Sequence, residues 1–177
     1  GAGNVGGKGN PINENGYDTS YLWENVLCKD CLLEILHKYL HLEVVKDKKT
    51  GEVKSERMIF PRYHQLDVVR NLLKSTRENG VGNRYLIQHS AGSGKSNSIT
   101  WLAYQLVGLL DETVPLLDSV IVVTDRINLD KQIRNNIIAF KRLQNLVAWA
   151  DSAETLRKHL EAGKKIIITI VHKFPFI

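Results

Sequence analysis

The chain has 177 residues, 43% apolar and 24% charged, which suits one folded domain with an appendage and excludes a fibrous or wholly disordered polypeptide. With 24 Lys and Arg against 19 Asp and Glu it carries a net charge of +5, a mild bias toward a polyanionic partner and weak evidence on its own. Two cysteines, Cys28 and Cys31, cannot staple a chain of this length, so a buried core in a reducing compartment is expected, which argues against secretion.

Residues 1–16, GAGNVGGKGNPINENG, have high backbone entropy and little to bury, so a flexible linker is expected there. The N-terminus has no initiator Met and no apolar signal-peptide core, and the chain stops abruptly after a strand-like run; both suggest a segment of something longer. Residues 17–57 form a connector. From Thr19 to His41, apolar residues recur near helical spacing, predicting one broken helix or two short ones with Asp18 as a cap. Two short extended runs then flank Lys49-Thr50-Gly51, a hairpin with a charged outer face. Its Lys46, Lys48, Lys49, Lys54 and Arg57 read most simply as a solvated basic face.

Residues 58–177 have a different character. PRYHQLDVVRNLLKS reads as a helix, RYLIQH as a strand, and Ile99, Leu102, Ala103, Leu106, Val107 and Leu110 as one helical stripe seated on a sheet. The stripe region, Ile99 to Leu110, is also the longest mostly apolar stretch, too short to span a bilayer at about 20 residues, so no membrane partner is expected. SVIVVT and KIIITIV are continuous apolar strands, as found where helices cover both faces of a sheet. Between them, NLDKQIRNNIIAFK and DSAETLRKHLEAG read as helices, the second starting at Asp151 or Ser152 and stopping at Gly163. The alternation predicts an α/β fold of parallel βαβ units with right-handed crossovers and flanking helices, preceded by the short helical element and the hairpin.

The sharpest motif is HSAGSGKS, residues 89–96, between the RYLIQH run and the striped helix. Gly92 and Gly94 allow the backbone to turn N–H groups inward around an anion, so Ser90, Ala91, Gly92, Ser93 and Gly94 are expected to line a phosphate cradle. Lys95 is expected to reach the β- and γ-phosphates as the catalytic cation, and the Ser96 hydroxyl to ligate Mg²⁺. The chemistry expected is nucleotide binding with Mg²⁺. His89 stands where the general motif has its first glycine.

These residues resemble the motor (R) subunit of type I restriction-modification enzymes, within the superfamily-two helicases. GAGN with GYDTSYLWENVL is similar to that family's junction between nuclease and motor domains. IFPRYHQ resembles its adenine-recognition segment, QHSAGSGKS its phosphate loop, VIVVTDRINLDKQI its next motif and TIVHKF the one after. The resemblance covers nearly the whole chain and implies a cytoplasmic, prokaryotic ATP-driven translocase. Its partners would be duplex DNA and the methyltransferase and specificity subunits, with DNA cleavage by a separate domain. Residues 58–177 would be the start of the first RecA-like lobe. By resemblance Gln65 reads the adenine edge with support from Arg62, and Arg126, Thr169, His172 and Lys173 are candidate DNA contacts. An Asp-Glu motif is expected beyond Ile177, so this segment alone is expected to bind Mg·ATP weakly, if at all, and to show no turnover above background. Two alternatives remain open: a repair or remodelling helicase of the same superfamily, and a non-catalytic interaction module with an unused loop.

Other motif-like features carry less. Asp125 ends an apolar strand but is followed by Arg126 instead of an acidic residue, so a cap or charge-partner role suffices. Cys28, Cys31, His37 and His41 have zinc-ligand types, but on a continuous helix the two pairs project from largely opposite faces. GAGNVG has no strand before it and does not read as a dinucleotide fingerprint.

Overall fold

The computed structural model describes residues 13–47, 49–125, 133–134, 136–137 and 145–172. A π-helical turn, Leu22–Val26, is followed by helix α1, Lys29–Lys38, with Cys28 as its N-cap residue. The predicted broken helix is therefore real, but Asp18 caps neither piece. Strands β1, His41–Lys46, and β2, Val53–Ile59, form the expected antiparallel hairpin. Asp47 Oδ1 accepts from the Lys49 and Thr50 amides at 2.7 and 3.1 Å and so closes the turn, while Gly51 takes φ +75°. The charged hairpin face is partly self-neutralised: Arg57 pairs with Glu43 directly opposite it, and Lys54 with Asp47 at 2.7 Å.

Helix α2, Tyr63–Asn79, and helix α3, Lys95–Val107, pack against each other. After a two-residue ribbon, β3 Leu110–Asp111 with β4 Val114–Pro115, come strand β5, Val120–Thr124, strand β6, Val147–Ala150, helix α4, Ala153–Glu161, and strand β7, Ile166–Ile170. The sheet is parallel in the order β5-β7-β6. Strand β7 is central and covered on both faces, which is why IIITI is apolar apart from Thr169. Ile166 and Ile168 join the main core with Val122, Trp101, Val69, Ile35 and Tyr39, whereas Ile167 faces Leu156 of α4 and Ala150. The fold is α/β, a partial RecA-like domain with a three-strand parallel sheet and flanking helices.

Helix α4 begins as expected. The Ser152 hydroxyl accepts from the Thr155 amide at 3.1 Å, and Gly163 takes φ +65° just past the end. Two sequence expectations are corrected, and one strand is added. RYLIQH forms no strand among the described residues: 84–89 pair with none of them, Leu86 is 94% exposed, and a strand exists only through bonds to a partner. The α3 stripe is only half right. Trp101, Thr100, Ala103 and Gln105 are its most enclosed residues apart from the loop-proximal serines, because α3 is wedged between the sheet and the α1–α2 layer, while Leu110 has left the helix. Strand β6, too short to stand out among the apolar residues around it, adds a third strand beside β7. The helix expected at NLDKQIRNNIIAFK lies largely outside the described residues, although Ile133 and Ile137 are buried in the main core.

Candidate nucleotide-binding site

The Gly-rich loop turns at two glycines with positive φ, Gly92 at +73° and Gly94 at +81°. Gly94 is the N-cap residue of α3. Its carbonyl accepts from the Asn97 and Ser98 amides at 3.0 and 3.3 Å, and no side chain among the described residues caps the amides of the first turn. No acidic residue lies in that turn either. The positive end of a 13-residue helix is thus left open toward the loop. Space is open beside Gly92, where an added Cβ would meet nothing within 4 Å.

Lys95 is exposed, and its Nζ donates to the carbonyls of His89 at 3.1 Å and Ser90 at 2.8 Å, so it spans the start of the loop. No carboxylate among the described residues pairs with it. Ser96 is buried at the head of α3, and its carbonyl accepts from the Thr100 hydroxyl at 2.9 Å. The Ser93 hydroxyl is buried in the loop with no hydrogen-bond partner among the described residues. Free helix amides, an unneutralised ammonium and an unpartnered hydroxyl in one place suit an anion with several acceptor oxygens.

Helix α2 holds this loop in shape. Gln65 is 3% exposed; its Oε1 accepts from the Arg62 amide at 2.9 Å and its Nε2 donates to the Ser93 and Gly94 carbonyls at 3.3 and 2.9 Å. Both ends of the amide are therefore engaged by main chain, and reading an adenine would require these bonds to exchange. Arg62, exposed at the start of α2, contributes its backbone amide to that arrangement. Beside Gln65, His64 Nε2 lies 3.0 Å from the Ser93 carbonyl, and its ring meets His89 edge-on at 4.9 Å between centroids. Burial, with the charges of His64 and Lys95, holds the His89 pKa below the usual histidine value. Sequence reasoning did not single out His64, whose only signal is adjacency to Gln65.

Of the candidate DNA contacts, Thr169 has no accessible surface. Its hydroxyl donates to the Ala150 carbonyl at 3.1 Å, tying β7 to β6, so it presents nothing to a phosphate. His172 is exposed just past the C-terminal end of β7. Arg126 and Lys173 lie outside the described residues.

The family model of the SWI2/SNF2 ATPase matches residues 64–176, nearly two thirds of the chain. The chain belongs to the SWI2/SNF2 ATPase family. No curated protein and no solved structure matches it. The SWI2/SNF2 ATPase match opens at His64 and takes in Gln65, the glycine loop, α3 and all three strands of the sheet, while α1 and the hairpin precede it. It makes the chain a superfamily-two ATPase by kinship, and an ATPase family implies ATP as ligand. No described helix of this SWI2/SNF2 ATPase is long and apolar enough to cross a membrane.

Proposed function

We propose that this chain is the nucleotide-binding part of the motor subunit of a type I restriction-modification enzyme, acting with Mg²⁺ and ATP. The observation that carries the nucleotide reading is the open, positively polarised start of α3 beneath a loop whose only cation, Lys95, lacks a carboxylate partner among the described residues. Backbone amides from Ala91 to Lys95 would hold the phosphates, Lys95 would neutralise the terminal ones, and Ser96 would ligate Mg²⁺. Bound ATP supplies the phosphoryl-transfer free energy that a translocase converts into movement. The chain's own contribution is positioning: Gln65 and His64 fix the Ser93–Gly94 peptide so that the cradle is formed in advance.

The restriction assignment rests on more than the ATPase region. GYDTSYLWENVL, ahead of the family match, is similar to the nuclease–motor junction of those subunits, and QHSAGSGKS has the histidine found in their loop. Duplex DNA, a methyltransferase subunit and a specificity subunit are the partners this reading requires, with Arg126, His172 and Lys173 as DNA-backbone candidates. A remodelling translocase is the second reading, favoured by the match to the SWI2/SNF2 ATPase model itself.

The nucleotide site is tested by thermal melting with Mg·ATP. At a hundredfold excess over Kd, stabilisation of about 2.7 kcal/mol is expected, and Lys95→Ala should abolish it while leaving the ligand-free melt nearly unchanged. A parent chain whose melt ignores nucleotide would overturn the site. Restriction and remodelling are separated by assembly: stable association with methyltransferase and specificity subunits is expected for the first, and its absence favours the second.

A further inference from the structure

Helix α1 lies outside the ATPase match and carries chemistry that the nucleotide reading does not use. Its first turn is Cys28-Lys29-Asp30-Cys31, with Cys28 as N-cap residue and Cys31 three positions on. The Cys28 carbonyl accepts from the Leu32 amide at 2.8 Å, so the turn is formed, yet no side chain caps its amides. Both thiols are free, Cys28 exposed and Cys31 buried. N-cap and third helical positions bring their Cα atoms about 5–6 Å apart, the usual separation across a disulfide.

A third group completes the arrangement. Arg70 reaches across from α2 and places Nη2 2.8 Å from Cys31 Sγ, while its Nε donates to Glu34 Oε2 at 3.1 Å. The buried sulfur thus already accepts a charge-assisted bond, and negative charge arising on it meets a guanidinium held in place by a carboxylate. One accessible thiol, one sheltered thiol three positions on, whose helical spacing is compatible with a disulfide, and a cation on the sheltered one define an ordered pair.

We propose that Cys28 and Cys31 are a reversible dithiol–disulfide site whose co-reactant is a low-molecular-weight disulfide. Cys28, as thiolate, attacks one sulfur of R–S–S–R; that S–S bond breaks, R–S⁻ leaves and takes up a proton, and a mixed disulfide remains on Cys28. Cys31 gives up its proton and attacks Cys28 Sγ, expelling the second R–S⁻, which is protonated in turn. The protein loses two electrons and two protons, and R–S–S–R becomes two R–SH. Accessibility sets the order, because the incoming disulfide can reach only Cys28.

The test uses the reduced full chain with oxidised glutathione in excess, acid quenching, alkylation of remaining thiols and peptide mass spectrometry. Expected is a Cys28–Cys31 linkage preceded by a transient glutathione adduct on Cys28. Cys31→Ala should trap that adduct, and Cys28→Ala should leave Cys31 reacting about tenfold or more slowly than Cys28 does in Cys31→Ala. Arg70→Gln should prolong the adduct's lifetime and Arg70→Lys partly restore it, with circular dichroism showing that each variant is folded. A glutathione adduct that persists on the parent chain, equal reactivity of the two single-cysteine variants, an adduct lifetime indifferent to Arg70, or no oxidation at all would each overturn the proposal.

Discussion

Replacing Gly94 by Ala perturbs the site at the point where backbone, cradle and buttress meet. The residue sits at φ +81°, ψ 33°, a left-handed conformation that costs an L-residue about 1 kcal/mol relative to glycine. Its new Cβ would lie 2.4 Å from Gln65 Nε2, closer than two such atoms can approach, so the amide has to move. Moving it breaks the bonds to the Ser93 and Gly94 carbonyls. Because Gln65 is 3% exposed, water cannot replace them fully. That loss adds about 1–3 kcal/mol, giving about 2–4 kcal/mol in all, a large share of the roughly 5–15 kcal/mol that holds a domain folded. In thermal unfolding the melting temperature should fall by about 5–15 °C, and in urea the midpoint should drop at unchanged slope. The steric part is isolated by a double-mutant cycle. On a Gln65→Ala background the same change should cost only the backbone term, about 1 kcal/mol, leaving a coupling of about 1–3 kcal/mol. A Gly94→Ala variant within about 0.5 kcal/mol of the parent, or strict additivity in the cycle, would refute the buttress.

Alkaline stability offers a separate check: Tyr39 is fully buried with its hydroxyl facing the Gln105 amide beyond hydrogen-bond length, and burial pushes its pKa up to about 12 from 10.0. The folded chain then holds that proton more tightly than the unfolded one, so its contribution is complete below pH 10 and disappears as pH rises to 12. The loss is about 3 kcal/mol over that window and should be missing from Tyr39→Phe in urea titrations; equal losses in both would contradict the burial. Ser152→Ala removes the α4 cap and should cost about 1 kcal/mol, or about 2–4 °C in melting temperature; an unchanged melt would mean the cap contributes nothing. Leu86→Ala should lie within about 0.5 kcal/mol of the parent, whereas Ile168→Ala, fully enclosed in β7, should cost about 2–5 kcal/mol. A comparable cost at Leu86 would mean that RYLIQH is a buried strand after all.

Much of the molecule was legible because its determinants are local. The turn at Lys49-Thr50-Gly51, the start of α4 at Asp151 or Ser152 with Gly163 beyond its end, and the glycine loop ahead of α3 depend on residues a few positions apart, so spacing and residue type suffice. The continuous apolar run of β7 likewise reports burial on two faces, since each side chain in it needs cover. RYLIQH shows the limit. Its residues suit a strand, but a strand also requires a neighbour offering bonds along its length, and composition cannot supply one. The role of Gln65 was equally hidden. Its amide could serve a base or a main-chain carbonyl, and only the approach of α2 to the Ser93–Gly94 peptide, 28 and 29 residues away in sequence, decides which groups it meets here. The same holds for Cys31, whose partner Arg70 is 39 residues distant. By itself the sequence determined the loop, the start and stop of α4, the hairpin turn and the α/β pattern, all set by short-range sterics and periodicity. The tertiary structure alone decided which polar atoms were left over and which were satisfied, because that depends on contacts made only when distant segments pack together.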